Sequence, residues 1–129
     1  MSYGLQVHTD NKVYWSISSN GSTNNYWYST QTVTDTNWNH LVGTFDAGTY
    51  KVYLNGQEIS GTPPASPSTS IFNSTTALEN RYNASNYNSG LLDELHISNT
   101  ARAAEWIATE YNNQNSPSTF YSLGSESTN

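Results

Sequence analysis

Residues 38–61 read WNHLVGTFDAGTYKVYLNGQEISG, and this stretch decides the fold. Apolar and polar residues alternate on both sides of residues 46–49, with the period of a half-buried strand. The residues of the apolar face are Leu41, Gly43 and Phe45 before the turn, and Tyr50, Val52 and Leu54 after it. Gly48 supplies a positive φ at the first turn, and Asn55-Gly56 is a strong signal for a type I′ hairpin. The stretch therefore predicts an antiparallel meander of three strands, the last of them at residues 57–60.

Two blocks of the chain resemble a known family. WNHLVGTFD (38–46), followed after a turn by KVYLNG (51–56), resembles the central hairpin of laminin-G-like domains in the concanavalin A-like lectin and glucanase superfamily. GLLDELHIS (90–98) and ARAAEWI (101–107) resemble the family's last long strand and the short helix after it, in the same order. The resemblance implies an all-β fold: a jelly-roll sandwich of two antiparallel sheets, with one short helix near the C-terminus.

The rest of the chain extends this pattern into a single domain over residues 1–123, followed by a flexible tail at 124–129. Alternating residues predict strands, and clusters of Pro, Gly, Ser and Asn predict loops. The further strands are 3–8, 13–18, 24–33, 71–72, 77–82, 91–97 and 120–123, and the longer loops are 61–70 and 83–89. A helix is predicted over 103–111, with N-cap oxygens from residues 98–100 and a stop at Asn112-Asn113.

Composition excludes several classes of function. The net charge is −6 and Lys and Arg together number only 4, which argues against nucleic acid, because phosphates need basic residues to displace counterions. The chain has no cysteine, so disulfides and thiolate metal sites are excluded. No apolar run reaches the length of a membrane span or of a signal peptide. We therefore expect neither nucleic acid nor membrane as a partner, and any export signal would lie outside this chain.

The sequence contains no recognisable set of catalytic residues. A glycosidase needs two carboxylates about 5 Å apart for retention, or up to roughly 9.5 Å apart for inversion. Asp93 and Glu94 are adjacent, and a strand would send them to opposite faces. His8, His40 and His96 are far apart in the sequence, and no Ser or Cys nucleophile has a recognisable setting. The sequence therefore predicts a non-enzyme whose histidines lie on strand surfaces or make structural hydrogen bonds.

Asp93 is the candidate metal ligand. It shares a predicted strand face with apolar residues, so we expect its carboxylate to be partly buried and to need a partner. One interpretation is a hydrogen bond to backbone amides or to Arg81, Arg102 or Lys51. The other is a structural calcium ion, which related sandwiches often hold near this strand. Calcium takes about six to eight oxygens, and the carboxylates that could contribute are Asp10, Asp35, Asp46 and Glu79.

Aromatic residues next to Asn-rich loops are the clearest functional clue. A sugar ring stacks its C–H groups on Tyr or Trp, while its hydroxyls bond to Asn or to the backbone. Two segments have this composition. The candidate ligand-binding residues are Asn25 and Trp27 in the first segment, and Tyr82, Asn83, Asn86, Tyr87 and Asn88 in the second. The alternative is that Trp27 and Tyr82 are core residues and that the asparagines only form turns.

These features predict a non-catalytic recognition module for glycans or a glycosylated surface, within a larger extracellular protein. The alternative is a structural subunit of a filament, a surface layer or a virion, whose sheet edges pair between chains. A glycosidase remnant is a weaker rival. Members of the family usually carry further strands before the segment resembling residues 3–7, and without them a sheet edge would stay unpaired. We therefore also expect self-association through that edge. The expected location of the protein is extracellular, or on the surface of a cell or virion.

Overall fold

The computed structural model describes residues 2–73, 91–120 and 124 of the chain. Within that part, the strands form two antiparallel sheets, in the order β1-β2-β3-β7 and β4-β5-β6. The elements are β1 (Tyr3–Val7), β2 (Lys12–Ile17), β3 (Asn25–Thr32), β4 (Leu41–Asp46), β5 (Thr49–Leu54), β6 (Gln57–Glu58), β7 (Gly61–Thr62), α1 (Ala104–Asn115) and α2 (Pro117–Phe120). The predicted antiparallel sandwich with a helix near the C-terminus is confirmed. The elements predicted at 77–82, 83–89 and 121–123 lie outside the described residues.

The second sheet is the predicted meander. Leu41 pairs with Leu54, Gly43 with Val52 and Phe45 with Tyr50, which puts the predicted apolar face on one side. Both turns have positive φ at their two central residues, namely Ala47 (44°) and Gly48 (93°), then Asn55 (52°) and Gly56 (77°). Such turns match the right-handed twist of the flanking strands. The hairpin prediction at Asn55-Gly56 is confirmed.

The first sheet follows the same alternation. In β2 the side chains of Val13, Trp15 and Ile17 are buried, and in β3 Trp27 is buried opposite Trp15. Successive side chains of a strand point to opposite faces, so the residues between these apolar positions lie on the outer face of the sheet. They include Lys12, Tyr14, Tyr26 and Tyr28.

The strand β7 lies inside the segment predicted as a loop at 61–70. Gly61 and Thr62 pair with Ser29 and Tyr28 at the edge of the first sheet, and the Thr30 amide donates to the Ser60 carbonyl at 2.9 Å. The prolines begin only at Pro63, and a proline has no N–H to donate to a ladder. The loop prediction is therefore wrong for the first two residues of the segment.

The core lies between the two sheets. Its buried members are Val13, Trp15, Ile17, Trp27, Tyr50, Val52 and Ile59. Trp15 joins the two sheets, because its indole Nε1 donates to the backbone carbonyl of Thr44 at 3.0 Å. The same indole lies so close to Gly43 that a Cβ there would be 2.7 Å from the ring.

Helix α1 packs against the turn between β5 and β6. The Tyr111 ring lies against Gly56, where a Cβ would be 2.9 Å from it, and Ile107 is fully buried. Tyr53 of β5 is also buried, although it lies outside the core cluster. Burial raises the pKa of Tyr53, and the carboxylates of Glu58 and Glu105 contribute to this rise. Because Glu105 belongs to α1, the helix lies near the outer face of the second sheet.

The helix differs from its prediction at both ends. Its N-cap is Ala103, which has no side-chain capping bond, so the oxygens of residues 98–100 do not cap it. Asn112-Asn113 does not stop it, since α1 continues to Asn115, and Phe120 lies in α2 rather than in a strand. No helix in the described part of the chain is long and apolar enough to cross a membrane.

The strand predicted at 91–97 is wrong, because residues 91–98 form no regular element. Glu94 has a φ of 50°, which breaks an extended strand, and its amide donates to Oδ1 of Asp93 at 2.9 Å. The apolar side chains of this segment are exposed, namely those of Leu91, Leu92, Leu95 and Ile97. The brief strand predicted at 71–72 is absent as well.

Candidate functional site

Asn25 and Trp27, two of the predicted ligand-binding residues, point into the sandwich. Nδ2 of Asn25 donates to Oγ of Ser68 at 2.8 Å, and Ser68 Oγ donates to the Ile17 carbonyl at 3.3 Å. Trp27 is only 5% exposed and belongs to the core cluster. The structure thus favours the alternative interpretation of Trp27 as a core residue, and Asn25 ties a loop to the sheet. Sugar binding by these two residues stays a prediction, and their inward orientation does not support it.

The other predicted site residues divide into two groups. The second aromatic and Asn-rich segment, Tyr82, Asn83, Asn86, Tyr87 and Asn88, lies outside the described residues. Asp93 is exposed rather than partly buried, because the strand expected to turn it inward does not form. Its observed hydrogen bond is to a backbone amide, that of Glu94. Within residues 2–73, 91–120 and 124, no three His, Cys, Asp or Glu side chains gather as a metal site, so calcium at Asp93 stays a prediction.

A cluster of aromatic rings covers the outer face of the first sheet. We call it the tyrosine face: Tyr14, Tyr26 and Tyr28, with His8 and Lys12 at its margin. Tyr14 is central, with ring centroids 5.8 Å from Tyr28 in a stacked arrangement and 6.0 Å from Tyr26 edge to face. The His8 ring lies 4.5 Å from Tyr14, and Nζ of Lys12 lies 5.6 Å from the centre of the Tyr28 ring. The face is open, since Tyr26 is 38% exposed and Tyr28 36%.

Asp10 fixes one end of the tyrosine face. Its Oδ1 accepts from the Lys12 amide at 3.1 Å, and its Oδ2 accepts from the Tyr14 hydroxyl at 3.2 Å. Slight desolvation acts to raise the pKa of Asp10, but these hydrogen bonds and the nearby His8 outweigh it and lower that pKa. Desolvation and the bond to Asp10 in turn raise the pKa of Tyr14. Asp10 therefore stays ionised at neutral pH, and the Tyr14 hydroxyl keeps its proton and its orientation.

The sequence interpretation missed the tyrosine face by one residue in the strand. The aromatic and polar composition of residues 24–28 predicts a ligand contact at Trp27. Because Trp27 points into the sandwich, its neighbours Tyr26 and Tyr28 must lie on the outer face of the sheet. The same alternation places Tyr14 on the outer face, since Val13 and Trp15 on either side of it point inward. That alternation was the signal that could have found them.

A shallow groove of about 440 Å³ lies where Trp27 and Tyr50 meet β6 and β7. Its volume is in the range of small-ligand sites. Its polar rim is already occupied, however, by the ion pair of Lys51 Nζ with Glu58 Oε2 at 3.0 Å. Because Trp27 and Tyr50 expose at most 9% of their surfaces, the groove offers a ligand little aromatic area, and the tyrosine face is the better candidate.

Two histidines that are distant in sequence meet at one carboxylate. Glu110 of α1 places Oε1 2.8 Å from Nδ1 of His96 and Oε2 3.7 Å from Nε2 of His40. Glu94 contacts the other nitrogen of His96 at 3.4 Å. A glycosidase holds a sugar between its two carboxylates, whereas an imidazole separates Glu94 from Glu110. The arrangement ties α1 and residues 91–98 to the start of β4.

Two antiparallel sheets around one apolar core, with the chain order described, define a β-sandwich of the concanavalin A-like type. A laminin G-type family model, described as the concanavalin A-like lectin/glucanases superfamily, matches residues 2–108. The chain therefore belongs to that superfamily, as the sequence resemblance predicts. No curated protein gives a significant match.

Among solved structures, the chain is similar to an S-layer domain-containing protein from Clostridium thermocellum ATCC 27405. The two share 20% sequence identity with a TM-score of 0.44, over 84% of this chain and 55% of the other. The chain thus spans about half the length of that structure.

Proposed function

We propose that this domain is a non-catalytic recognition module of an extracellular or surface protein, and that it binds glycans at the tyrosine face. The observation that carries the proposal is the packing of Tyr14, Tyr26 and Tyr28 into one open cluster on the outer face of the first sheet. The superfamily includes lectins, which is consistent with this use of the fold. Fold alone does not decide function, so the proposal rests on the site.

The cluster has the physical properties that a sugar requires. Tyr26 and Tyr28, the two exposed rings, offer apolar surface to sugar C–H groups and hydroxyls that hydrogen-bond to sugar hydroxyls. Tyr14 holds both neighbouring rings, and Asp10 holds Tyr14, so few side-chain rotations are lost on binding. Such preorganisation reduces the entropic cost of association.

Replacing Tyr26 or Tyr28 by alanine is expected to weaken glycan binding by about 1 kcal/mol or more, roughly five-fold, because each change removes one aromatic platform. A glycan array identifies the ligand, and titration calorimetry then compares the variants. Trp38→Ala is the matched control, since Trp38 is 66% exposed but lies outside the tyrosine face. Unchanged binding in both tyrosine variants would contradict the site, and hydrolysis of a glycan by the pure protein would contradict the non-catalytic role.

A structural role in an assembly is the second candidate, and a specific observation favours it. Leu91, Leu92, Leu95 and Ile97 are all at least half exposed and close together in the sequence. Several exposed apolar side chains in one short segment are a candidate interaction site. In the described part of the chain, β1 and β4 are also edge strands, and an unpaired edge can accept a strand from another chain.

If this second function applies, the protein should form dimers or larger species at micromolar concentration in sedimentation velocity experiments. The double variant Leu91→Ser, Ile97→Ser should sediment as a monomer, because it removes two of the most exposed apolar side chains. Ile71→Ser is the control, since Ile71 is 45% exposed but lies in a different segment. A wild-type protein that stays monomeric at about 100 μM would rule out assembly through this segment.

A further inference from the structure

Lys12 resembles Arg102 and differs from Lys51 among the basic residues of the described chain, because it lies over an aromatic ring and not against a carboxylate. Lys51 is paired with Glu58 at 3.0 Å, and the Arg102 guanidinium lies 4.9 Å from the centre of the Trp106 ring. Lys12 has no acidic side chain within ion-pair distance among residues 2–73, 91–120 and 124, and its ammonium lies over the Tyr28 ring instead. The tyrosine face therefore carries a cation whose charge is not neutralised by a direct partner.

The nearest carboxylate along the chain is already engaged. Asp10 accepts hydrogen bonds from the Tyr14 hydroxyl and from the Lys12 backbone amide, and it lies 3.4 Å from Nδ1 of His8. These contacts engage both of its oxygens, and neither oxygen forms an ion pair with the Lys12 ammonium. The Nζ donors of Lys12 consequently remain available to a ligand that lies on Tyr28.

We infer that the glycan bound at the tyrosine face carries a carboxylate, as in uronic acid sugars, and that the Lys12 ammonium pairs with it. This inference rests on the proposed function. The sugar ring would contact the tyrosines while its carboxylate accepts hydrogen bonds from Nζ. Charge-assisted hydrogen bonds are stronger than neutral ones, so the acidic sugar is selected over its neutral counterpart.

The overall charge of −6 limits which acidic glycans fit. A densely charged polyanion would be repelled by the protein as a whole, and only one cation on the face stands without a direct acidic partner in the described structure. Screening over a Debye length of about 8 Å at physiological salt confines attraction to the neighbourhood of Lys12. The tyrosine face therefore suits a glycan that places one carboxylate at Lys12 and presents hydroxyl and C–H groups elsewhere.

The test is an array of paired oligosaccharides, uronic acid oligomers and their neutral methyl esters, followed by calorimetry on the best pair. The wild-type protein should bind the acid about three- to ten-fold more tightly than the ester, and the difference should shrink as salt is raised. Lys12→Met keeps the apolar stem and removes the charge, so it should abolish the preference for the acid over the ester. Lys12→Arg should retain the preference, and Lys51→Met, with the same change in net charge, should leave it intact.

The outcomes separate this inference from the proposed function. Equal binding of acid and ester, or binding of neutral glycans alone, overturns the inference and leaves the tyrosine face standing as the site. A preference for the acid that survives in Lys12→Met overturns the role of Lys12. If Tyr26→Ala and Tyr28→Ala both leave all binding intact, or no glycan on the array binds, the proposed function itself fails, and the inference fails with it.

Discussion

Replacing Trp15 by alanine is expected to lower the free energy of unfolding by about 3–5 kcal/mol, the usual cost of deleting a buried Trp. Trp15 is 7% exposed and lies between the two sheets. The substitution would leave a cavity where the indole packs against Gly43. It would also leave the Thr44 carbonyl without the indole donor that now lies at 3.0 Å. Because domains of this size are stable by only about 5–15 kcal/mol, much of the margin would disappear.

Urea denaturation followed by circular dichroism measures this effect. Trp15→Phe should lower the free energy of unfolding clearly less. It loses the hydrogen bond to Thr44, but it keeps a buried aromatic ring and gives up only part of the side-chain volume. Trp38→Ala should be nearly neutral, since Trp38 is 66% exposed. A Trp15→Ala variant as stable as the Trp38→Ala variant would show that the indole does not hold the two sheets together.

The elements that the sequence predicts well are those whose information is local. The meander of β4, β5 and β6 is encoded by alternation with period two and by turns at 46–49 and Asn55-Gly56. The positive φ values at both turns are the property for which those turn residues are suited. Here the local signals and the tertiary packing agree, so the strand order and the buried face follow from the sequence, although β6 ends at Glu58 rather than at residue 60.

Residues 91–97 show where a local pattern is insufficient. Their alternation is that of a strand, but a strand also requires an edge with which to pair, and sequence alternation carries no information about that partner. In the structure the segment is held by His96, which contacts Glu110 at 2.8 Å, and its backbone bends at Glu94. A long-range contact with α1 therefore accompanies a conformation that the local pattern does not predict.

The C-terminal end of α1 shows the reverse case, in which a local signal predicts a break but the element continues. Asn is a weaker helix former than Ala by about 0.7 kcal/mol at most, and the pair Asn112-Asn113 predicts the end of the helix. The preceding turn of α1 is anchored by Tyr111, which lies against Gly56 and 5.9 Å from the His40 ring. Tertiary contacts of this kind outweigh so small a preference, and the helix continues to Asn115.

For the candidate site, composition points to β3 but does not identify which of its side chains form the open aromatic surface. Aromatic and polar residues at 24–28 mark β3 as unusual, and the inward position of Trp27 then fixes Tyr26 and Tyr28 on the outside. The contribution of Tyr14 depends on register, because Tyr14 faces Tyr28 only when Trp15 faces Trp27. The sequence does not specify that register, so three tyrosines from two strands could not be recognised as one surface.

Replacing Gly61 by alanine is expected to destabilise the domain by about 2–3 kcal/mol, the upper part of the usual range for overpacking a core. A Cβ at this position would lie 2.1 Å from Cζ2 of Trp27 and 2.4 Å from its Cε2. Neither neighbour can move easily, since Trp27 is buried in the core and Gly61 is paired with Ser29 at the edge of the sheet.

Thermal unfolding followed by tryptophan fluorescence measures the loss of stability in Gly61→Ala. Thr62→Ala, at an exposed position of the same strand, should be close to neutral. The double variant Gly61→Ala, Trp27→Phe should be less destabilised than the sum of its single changes, because the smaller ring vacates the space that the new methyl group needs. Strict additivity, or a Gly61→Ala variant with wild-type stability, would show that the indole does not pack on this glycine.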